Sequence, residues 1–405
     1  MFYMITDLHI HSHYSQATSQ NMNLVELSRN AKIKGIDVLG TGDFTHPLWL
    51  KELKENLSDD GDIYSYNGVN FILQGEISLI YNQVKMRKIH LVILAPSFEV
   101  VDQVNEYLKK HGRLDYDGRP TFGISCIELT ENLMSISKEI EIIPAHCMTP
   151  WFGIFGSMSG FDSIKECFED KTKYIHAVET GMSADPPMLW RISELDDFSL
   201  VSNSDSHSPH PYRIGREANV FSCEPKYKNI INAIRTRKNF LFTIEVNPAY
   251  GKYHFDGHRN CNFSCSPEES KKLKNICPIC KKPLTIGVLN RVEQLADREE
   301  GFRPKGAVDF KSIIPLSEII SLSTGYNIFT KKVSDIYNKL IENFGTEFKI
   351  LLDAEEKELK KIVDERLANL IIKNRLGKIK VIPGYDGVYG RAIEKSVNQK
   401  TLRDL

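Results

Sequence analysis

No uninterrupted apolar run in the sequence is long enough to cross a bilayer. The N-terminus lacks the charged, apolar and small-residue order of a signal peptide, because Asp7, His9 and His11 interrupt it at once. Both absences point to a soluble cytoplasmic protein with no membrane partner. Net charge is missing too: 52 Lys and Arg stand against 53 Asp and Glu, leaving −1. A polyanionic partner is then neither demanded nor excluded, and any nucleic-acid surface has to be a local patch. Internal repeats and low-complexity tracts are also lacking. Disorder on a large scale is excluded by the 41% of hydrophobic residues. A chain of 405 residues has room for one large domain and one or two smaller ones.

What is present begins with rhythm. Over residues 1–245, short β-branched runs alternate with helical stretches: Met4–His9, Ile36–Thr41, Phe71–Glu76, Ile89–Leu94, Glu141–Ala145, Ala177–Glu179 and Leu200–Ser202 read as strands, and Asn23–Lys34 as a helix. That order predicts an α/β fold, a sheet or barrel of parallel βα units with its chemistry at the C-terminal strand ends. Residues 246–300 turn to Gly, Pro, Asn, Cys and Lys and read as a small metal-stapled module. Residues 301–405 form a helical C-terminal region, with helices expected at Ser334–Phe344 and Asp353–Asn374 and an ordered loop at PGYDGVYG.

Polar residues gather at the strand ends. In DLHIHSHYS, His9 and His11 stand at i and i+2, so a strand points both to one face, where they can grip one ion. An HxH pair alone is a weak signal. It gains weight from Glu76 closing an apolar strand, His90 opening another, His146 after IIPA, and Asp205 and His207 in SNSDSH. Burying such groups is costly unless they are paired or bind metal, and seven beside one sheet argue for cations. The mixed nitrogen and oxygen donors suit Zn²⁺ or Mn²⁺ and do not exclude Mg²⁺. Two such ions roughly 3.5–4 Å apart would lower the pKa of a shared water, making that water the nucleophile in phosphoester hydrolysis. Arg213 and Arg216, in SPHPYRIGRE, read either as phosphate contacts or as surface ion pairs. His210 is a phosphate contact or a loop histidine, and Glu179 a ligand or a partner behind one.

These strings, in this order, resemble the PHP family (polymerase and histidinol phosphatase), which folds as a distorted (β/α) barrel around two or three metals. The resemblance implies that His9, His11, Glu76 and Asp205 hold one ion. Glu76 would bridge to a second held by His90 and His146. The family's third site draws on three positions occupied here by Ala17, by Asp43 in VLGTGDF and by His207. Asp43 and His207 stay in the catalytic set, and a third ion needs His13 or His46 to substitute.

Four cysteines stand apart. Cys126, Cys147, Cys167 and Cys223 are scattered and read as buried thiols, whereas Cys261-x3-Cys265 and Cys277-x2-Cys280 have the spacing of a four-thiolate structural zinc site. Seven Lys and Arg against three Asp and Glu between positions 251 and 290 make the module either a grip on nucleic acid or a solvated surface.

Longer strings extend the likeness. AHCMTPWFGIFG followed by SGFD, SNSDSHSPHPYRIGRE, NPAYGKYHFDGHRNC, the cysteine quartet, RPKGAVDFKSIIPLSEII and PGYDGVYG resemble the endonuclease Q family of DNA-repair nucleases along nearly the whole chain. The resemblance implies cleavage 5′ to a deaminated base (uracil, hypoxanthine, xanthine) or an abasic site, leaving 3′-hydroxyl and 5′-phosphate ends. Inspecting a base requires taking it out of the stack. Trp151, Phe152 and Phe155 read as a wedge or as a plug over the barrel. The loop with Asn247, Tyr253 and His258 is where the base pocket is expected.

Two rival readings are a PHP-type small-molecule phosphatase, which leaves the zinc module idle, and a non-catalytic DNA-binding scaffold, which leaves the ligands without purpose. The C-terminal Gln399–Leu405 reads as a sliding-clamp peptide or as a frayed end, with Leu402 and Leu405 on one side of a helical turn.

Overall fold

The computed structural model describes residues 3–394, so the Gln399–Leu405 peptide lies outside the described residues. Among those residues, no helix is long and apolar enough to cross a membrane. The main strands are β1 (Met4–Asp7), β2 (Val38–Gly40), β3 (Val69–Gln83), β4 (Lys85–Ala95), β5 (Glu141–Pro144), β6 (Ala177–Glu179), β7 (Ser199–Val201), β8 (Ala218–Phe221) and β9 (Phe240–Glu245). Three more follow: β10 (Asp256–His258), β11 (Phe263–Cys265) and β12 (Asp309–Ser312).

The central sheet runs β12-β9-β8-β1-β2-β3-β4-β5 and is mixed. β1 with β2, β2 with β3 and β9 with β12 are parallel. β1 with β8, β8 with β9, β3 with β4 and β4 with β5 are antiparallel. This departs from uniform parallel βα units for a simple reason. Only Val84 separates β3 from β4, and a parallel crossover needs a dozen residues or more. His90 therefore sits in mid-strand, across the hairpin from Ser78. β6 and β7 form a parallel pair that completes the circuit. Cys147 N donates to the Glu179 carbonyl at 2.9 Å on one side, and His11 N to the Ser206 carbonyl at 3.0 Å on the other. The result is a distorted barrel.

Period-two alternation divides the strand residues between two apolar clusters. Met4, Val38, Ile72 and Val92 pack with Ile230 and Ile234, while Ile5, Leu39, Phe71 and Leu91 face the outer helices. Helix α1 (Leu24–Lys34) starts at Asn23, whose side chain accepts from Glu26 N, and stops at Gly35 with φ 90°. A β-carbon on Gly35 would also meet Thr346 Oγ1 at 2.8 Å, so glycine lets the C-terminal region close against this corner.

The module ends with α2 (Val288–Leu295), and beyond it lie α3 (Leu316–Thr324), α4 (Lys331–Phe344), α5 (Glu356–Ile362) and α6 (Glu365–Arg375). The single helix expected over Asp353–Asn374 is two. Val363 is extended at φ −127°, and Asp364 caps α6 by accepting from Leu367 N at 2.9 Å. The C-terminal region is not a separate layer, since β12 adds to the edge of the barrel sheet through β9.

Candidate active site

Two clusters of ligand atoms meet where His9, His11, His146 and Asp205, just beyond the C-terminal ends of their strands, face Glu76 and His90 in the middle of the β3–β4 hairpin. His9, His11, Glu76 and Asp205 each bring one donor atom within 4.8 Å of the others, and Glu76, His90 and His146 do the same. Glu76 belongs to both. Its Oε2 lies 3.1 Å from His11 Nε2 and 3.5 Å from His9 Nε2, while its Oε1 lies 2.7 Å from His90 Nδ1 and 3.2 Å from His146 Nε2. One carboxylate thus presents an oxygen to each cluster.

Carboxylates behind the histidines fix their orientation. His9 Nδ1 lies 3.0 Å from both Glu179 oxygens, and His11 Nδ1 lies 2.9 Å from Asp43 Oδ1. Both rings therefore turn Nε2 toward the cluster, and His9 Nε2 is buried without a hydrogen bond. Glu179 also accepts from His146 N and Asn203 Nδ2, each at 2.8 Å. Asp43 accepts from the Ser12 amide and hydroxyl at 2.6 Å and from the Ser15 hydroxyl at 3.0 Å. Asp43 is thereby spoken for: it stands behind His11 and joins neither ligand group. His146, Asp205 and Asp43 all carry φ values between +32° and +48°, a conformation that costs side-chain-bearing residues roughly 1–3 kcal/mol each.

The buried imidazoles and carboxylates shift one another's pKa values strongly. Burial opposes charge on His9, but Glu179 and Glu76 outweigh it and raise its pKa well above the usual histidine value. His11 is raised in the same way against burial, by Asp43, Asp205 and Glu76. Burial would raise the carboxyls of Glu76 and Asp205, yet the surrounding histidines hold both below the ordinary range. His90 goes the other way: burial pushes it down to about 4, so its imidazole is neutral. Inward-facing imidazoles around dehydrated carboxylates fit divalent metal.

Arg119 had no sequence signal. Its Nη1 lies 3.1 Å from Glu76 Oε2, and its side chain is 26% exposed, so it closes the cluster on the solvent side. Gly118 makes that approach possible, because a β-carbon there would collide with Asp43 and Ser15. Gly118 N donates to the Tyr14 carbonyl at 3.1 Å, and the Gly118 carbonyl accepts from Thr45 Oγ1 at 3.0 Å.

The third cluster does not assemble among the described residues. The His207 ring is tilted against that of His11 with centroids 4.5 Å apart, and its Nδ1 donates to the Asp205 carbonyl at 2.9 Å. His13 Nδ1 donates to the Met22 carbonyl, and His46 stacks on Tyr14; neither joins a ligand group.

The expected substrate residues scatter. Phe155 is fully buried, so it is core, while Trp151 and Phe152 are half-buried. The Phe152 ring lies 4.3 Å from that of His90, and Trp151 meets Tyr253 edge-on at 5.3 Å. Asn247 spends its Oδ1 accepting from Ala249 N at 2.9 Å. His210 is exposed and stacks on Tyr212. Arg213 is exposed, and Arg216 donates to the Ser204 carbonyl at 3.4 Å.

The cysteine module differs from a four-thiolate group. The gathered group is His258, Cys261, Cys277 and Cys280, with His258 Nδ1 3.5 Å from Cys280 Sγ. Cys265 is instead buried against Cys277 and Leu284 and stands outside that group. His258, expected at the substrate, is thus a candidate zinc ligand, on the hairpin face that it shares with Cys265.

Comparisons with known proteins agree with this architecture. Residues 315–378 match the family described as the MJ0043 C-terminal domain. The chain is 38% identical over 252 residues to uncharacterized protein MJ0043 of Methanocaldococcus jannaschii, which takes in 61% of this chain and 31% of that protein. The chain thus spans about a third of that relative's length. It is 28% identical over 383 residues to uncharacterized protein YqxK of Bacillus subtilis, covering 91% of this chain and 90% of that protein. The crystal structure of the lesion-specific endonuclease PfuEndoQ from Pyrococcus furiosus matches with a TM-score of 0.88 at 31% identity, over 100% of this chain and 98% of that one. A structure of endonuclease Q with a 27-mer duplex substrate bearing an abasic lesion at the active site matches with a TM-score of 0.87 at 31% identity, over 100% of both.

Proposed function

The chain belongs to the endonuclease Q family, and from that premise we propose that it is a metal-dependent DNA endonuclease. It nicks the phosphodiester 5′ to deaminated bases (uracil, hypoxanthine or xanthine) and to abasic sites. The observation that carries the chemistry is Glu76, whose two oxygens face two separate sets of imidazoles. A carboxylate so placed suits a pair of divalent cations, held on one side by His9, His11 and Asp205 and on the other by His90 and His146. Such ions supply positive charge for the phosphate oxygens and an acidified water.

The chain's own residues do the rest. Glu179 and Asp43 hold the ligand histidines in the tautomer that leaves Nε2 free. Arg119, at the solvent side of Glu76, is positioned to donate to a nonbridging phosphate oxygen. Residues 1–245 form the catalytic unit in this reading, 246–300 the zinc module and 301–405 the helical region that completes the DNA-binding face.

The test uses end-labelled duplexes that differ only in one uracil, one hypoxanthine, one abasic site or none. Nicking of the three damaged duplexes in Mn²⁺, with none for the intact one, is the expected result. Asp205→Asn and Glu76→Gln should abolish nicking and leave damaged-duplex binding within about twofold. Unimpaired nicking by either variant would remove the metal assignment, and release of inorganic phosphate from small monoesters alone would favour a phosphatase.

A further inference from the structure

Where α6 ends, the surface opens into a groove of about 240 Å³. Its floor is apolar: Leu370 is buried, and Ile379 and Ile393 are half-buried. Its rim carries three exposed cations, Lys373, Lys378 and Lys380.

Two local devices of the sequence build this arrangement. Leu370 and Lys373 stand one turn apart on α6 and so share a face of it. Gly377, at φ 64°, then reverses the chain, and Lys378 N donates to the Lys373 carbonyl at 2.8 Å, which folds the turn back on the helix end. The chain next enters β13 (Lys380–Ile382), paired antiparallel with β14 (Arg391–Ile393) so that Lys380 stands opposite Ile393. Opposed residues lie on the same face of a ribbon, which sets this cation beside an apolar side chain.

The charge on the rim is uncompensated. On α5, Lys357, Lys360 and Lys361 each lie within 2.9 Å of a glutamate oxygen. Lys373, Lys378 and Lys380 have no side-chain ion pair or hydrogen bond among the described residues. The acid in the lining, Glu394, is engaged by Arg366. In a chain that balances 52 cations against 53 acids, three free lysines around one apolar floor select a ligand that joins negative charge to an apolar group.

Neither DNA nor the chain's own end has that combination. A phosphate backbone meets the lysines but brings no apolar group to the floor. Residues 395–405 carry Lys395, Lys400 and Arg403 against Asp404, which is the sign of the rim itself. We propose that the groove docks a linear acidic segment of a partner protein, with one large apolar side chain on the floor and carboxylates at the lysines. Drug-sized ligands occupy roughly 300–1,000 Å³, so the smaller groove suits a single anchoring side chain. This docking site is independent of the nuclease reading above.

The test titrates the full chain into a fluorescein-labelled peptide, Asp-Glu-Asp-Asp-Leu-Phe, and follows anisotropy. Saturable binding with a Kd below about 100 µM is expected. The double variant Lys378→Glu with Lys380→Glu should weaken it by about tenfold or more, as should serine in place of the peptide's phenylalanine. Both lysines are exposed, thermal melting checks the variant's fold, and the altered peptide tests the floor without changing the protein. Failure to saturate overturns the proposal, and so does binding that either change leaves as it was. Displacement of the peptide by an intact duplex would give the groove to DNA instead. A gain of about tenfold on truncation after Glu394 would give it to the chain's own terminal residues.

Discussion

Asp43 Oδ1 lies 2.9 Å from His11 Nδ1, on the side of the ring opposite Glu76 and Asp205. With Ser12 and Ser15 donating to the same carboxylate, Asp43 has one outlet for its charge, the histidine. Orientation of this kind is worth about 10–100-fold in metal affinity. Asp43→Ala is therefore expected to weaken Mn²⁺ binding at the first cluster by that factor. Nicking should recover when the metal is raised. Loss that persists at saturating Mn²⁺ would mean that Asp43 acts on the substrate directly.

The same carboxylates make metal binding a proton-releasing event. The pKa values of His9 and His11 are raised well above the usual histidine value against the pull of burial, by Glu179 and Glu76 around His9 and by Asp43, Asp205 and Glu76 around His11, so the carboxylates favour the charged rings in the metal-free chain. A raised histidine gives its full stabilisation below the unfolded-state value and loses it as pH rises through the folded one. Cation binding needs the neutral ring, so affinity climbs with pH until those raised values are passed. Calorimetric titration with Mn²⁺ at pH 7 should give different heats in Tris and in phosphate, buffers of unlike ionisation enthalpy. Equal heats would mean that no proton leaves.

Among the described residues, Arg119 is the one cation paired with Glu76 that is not a histidine. Removing a single charged donor from a phosphoryl site commonly costs roughly 10²-fold in rate. Arg119→Ala should lower nicking at saturating metal by about that much, with Arg119→Lys recovering part of it. An unchanged rate would reduce Arg119 to a structural partner of Glu76.

How far these features were legible in the sequence depends on what determines each. That His9, His11 and Asp205 come together was legible because strand ends are local properties, whereas Glu76 lies in the middle of β3, which runs on to Gln83. Arg119 was not legible, because its approach depends on Gly118 sliding beneath Tyr14 and Thr45, a contact made only by the folded chain. The mixed sheet was hidden in one residue, Val84, since apolar runs do not reveal strand direction. Cysteine spacing pointed to a metal but not to its fourth ligand, because register within the β10–β11 hairpin decides which side chain of a shared face meets the cysteines.

A different pair holds the catalytic unit to the helical region. Lys34 Nζ lies 2.8 Å from Glu347 Oε1, with both side chains buried, and Glu347 also accepts from Leu316 N and Tyr337 Oη. Breaking one half of such a pair leaves a buried charge and typically costs about 3–5 kcal/mol. Glu347→Gln should lower urea-unfolding stability by that order, and Lys34→Met combined with Glu347→Leu should restore most of it. A loss below about 1 kcal/mol for Glu347→Gln would show that water reaches the pair.

The zinc module offers the most direct contest between pattern and geometry. Spacing alone makes Cys265 the fourth ligand, whereas the structure puts His258 beside Cys261, Cys277 and Cys280 and leaves Cys265 outside that group. Three thiolates and one imidazole make a complete tetrahedral set, so a fourth sulfur is not required. Replacing Cys277 and Cys280 with Ser should release one equivalent of zinc and melt the module, since structural zinc contributes about 10–16 kcal/mol of apparent binding energy. His258→Ala should also release zinc, whereas Cys265→Ser should keep it at full occupancy. Metal analysis of the purified variants decides the matter: zinc kept by His258→Ala and lost by Cys265→Ser would restore the four-thiolate site.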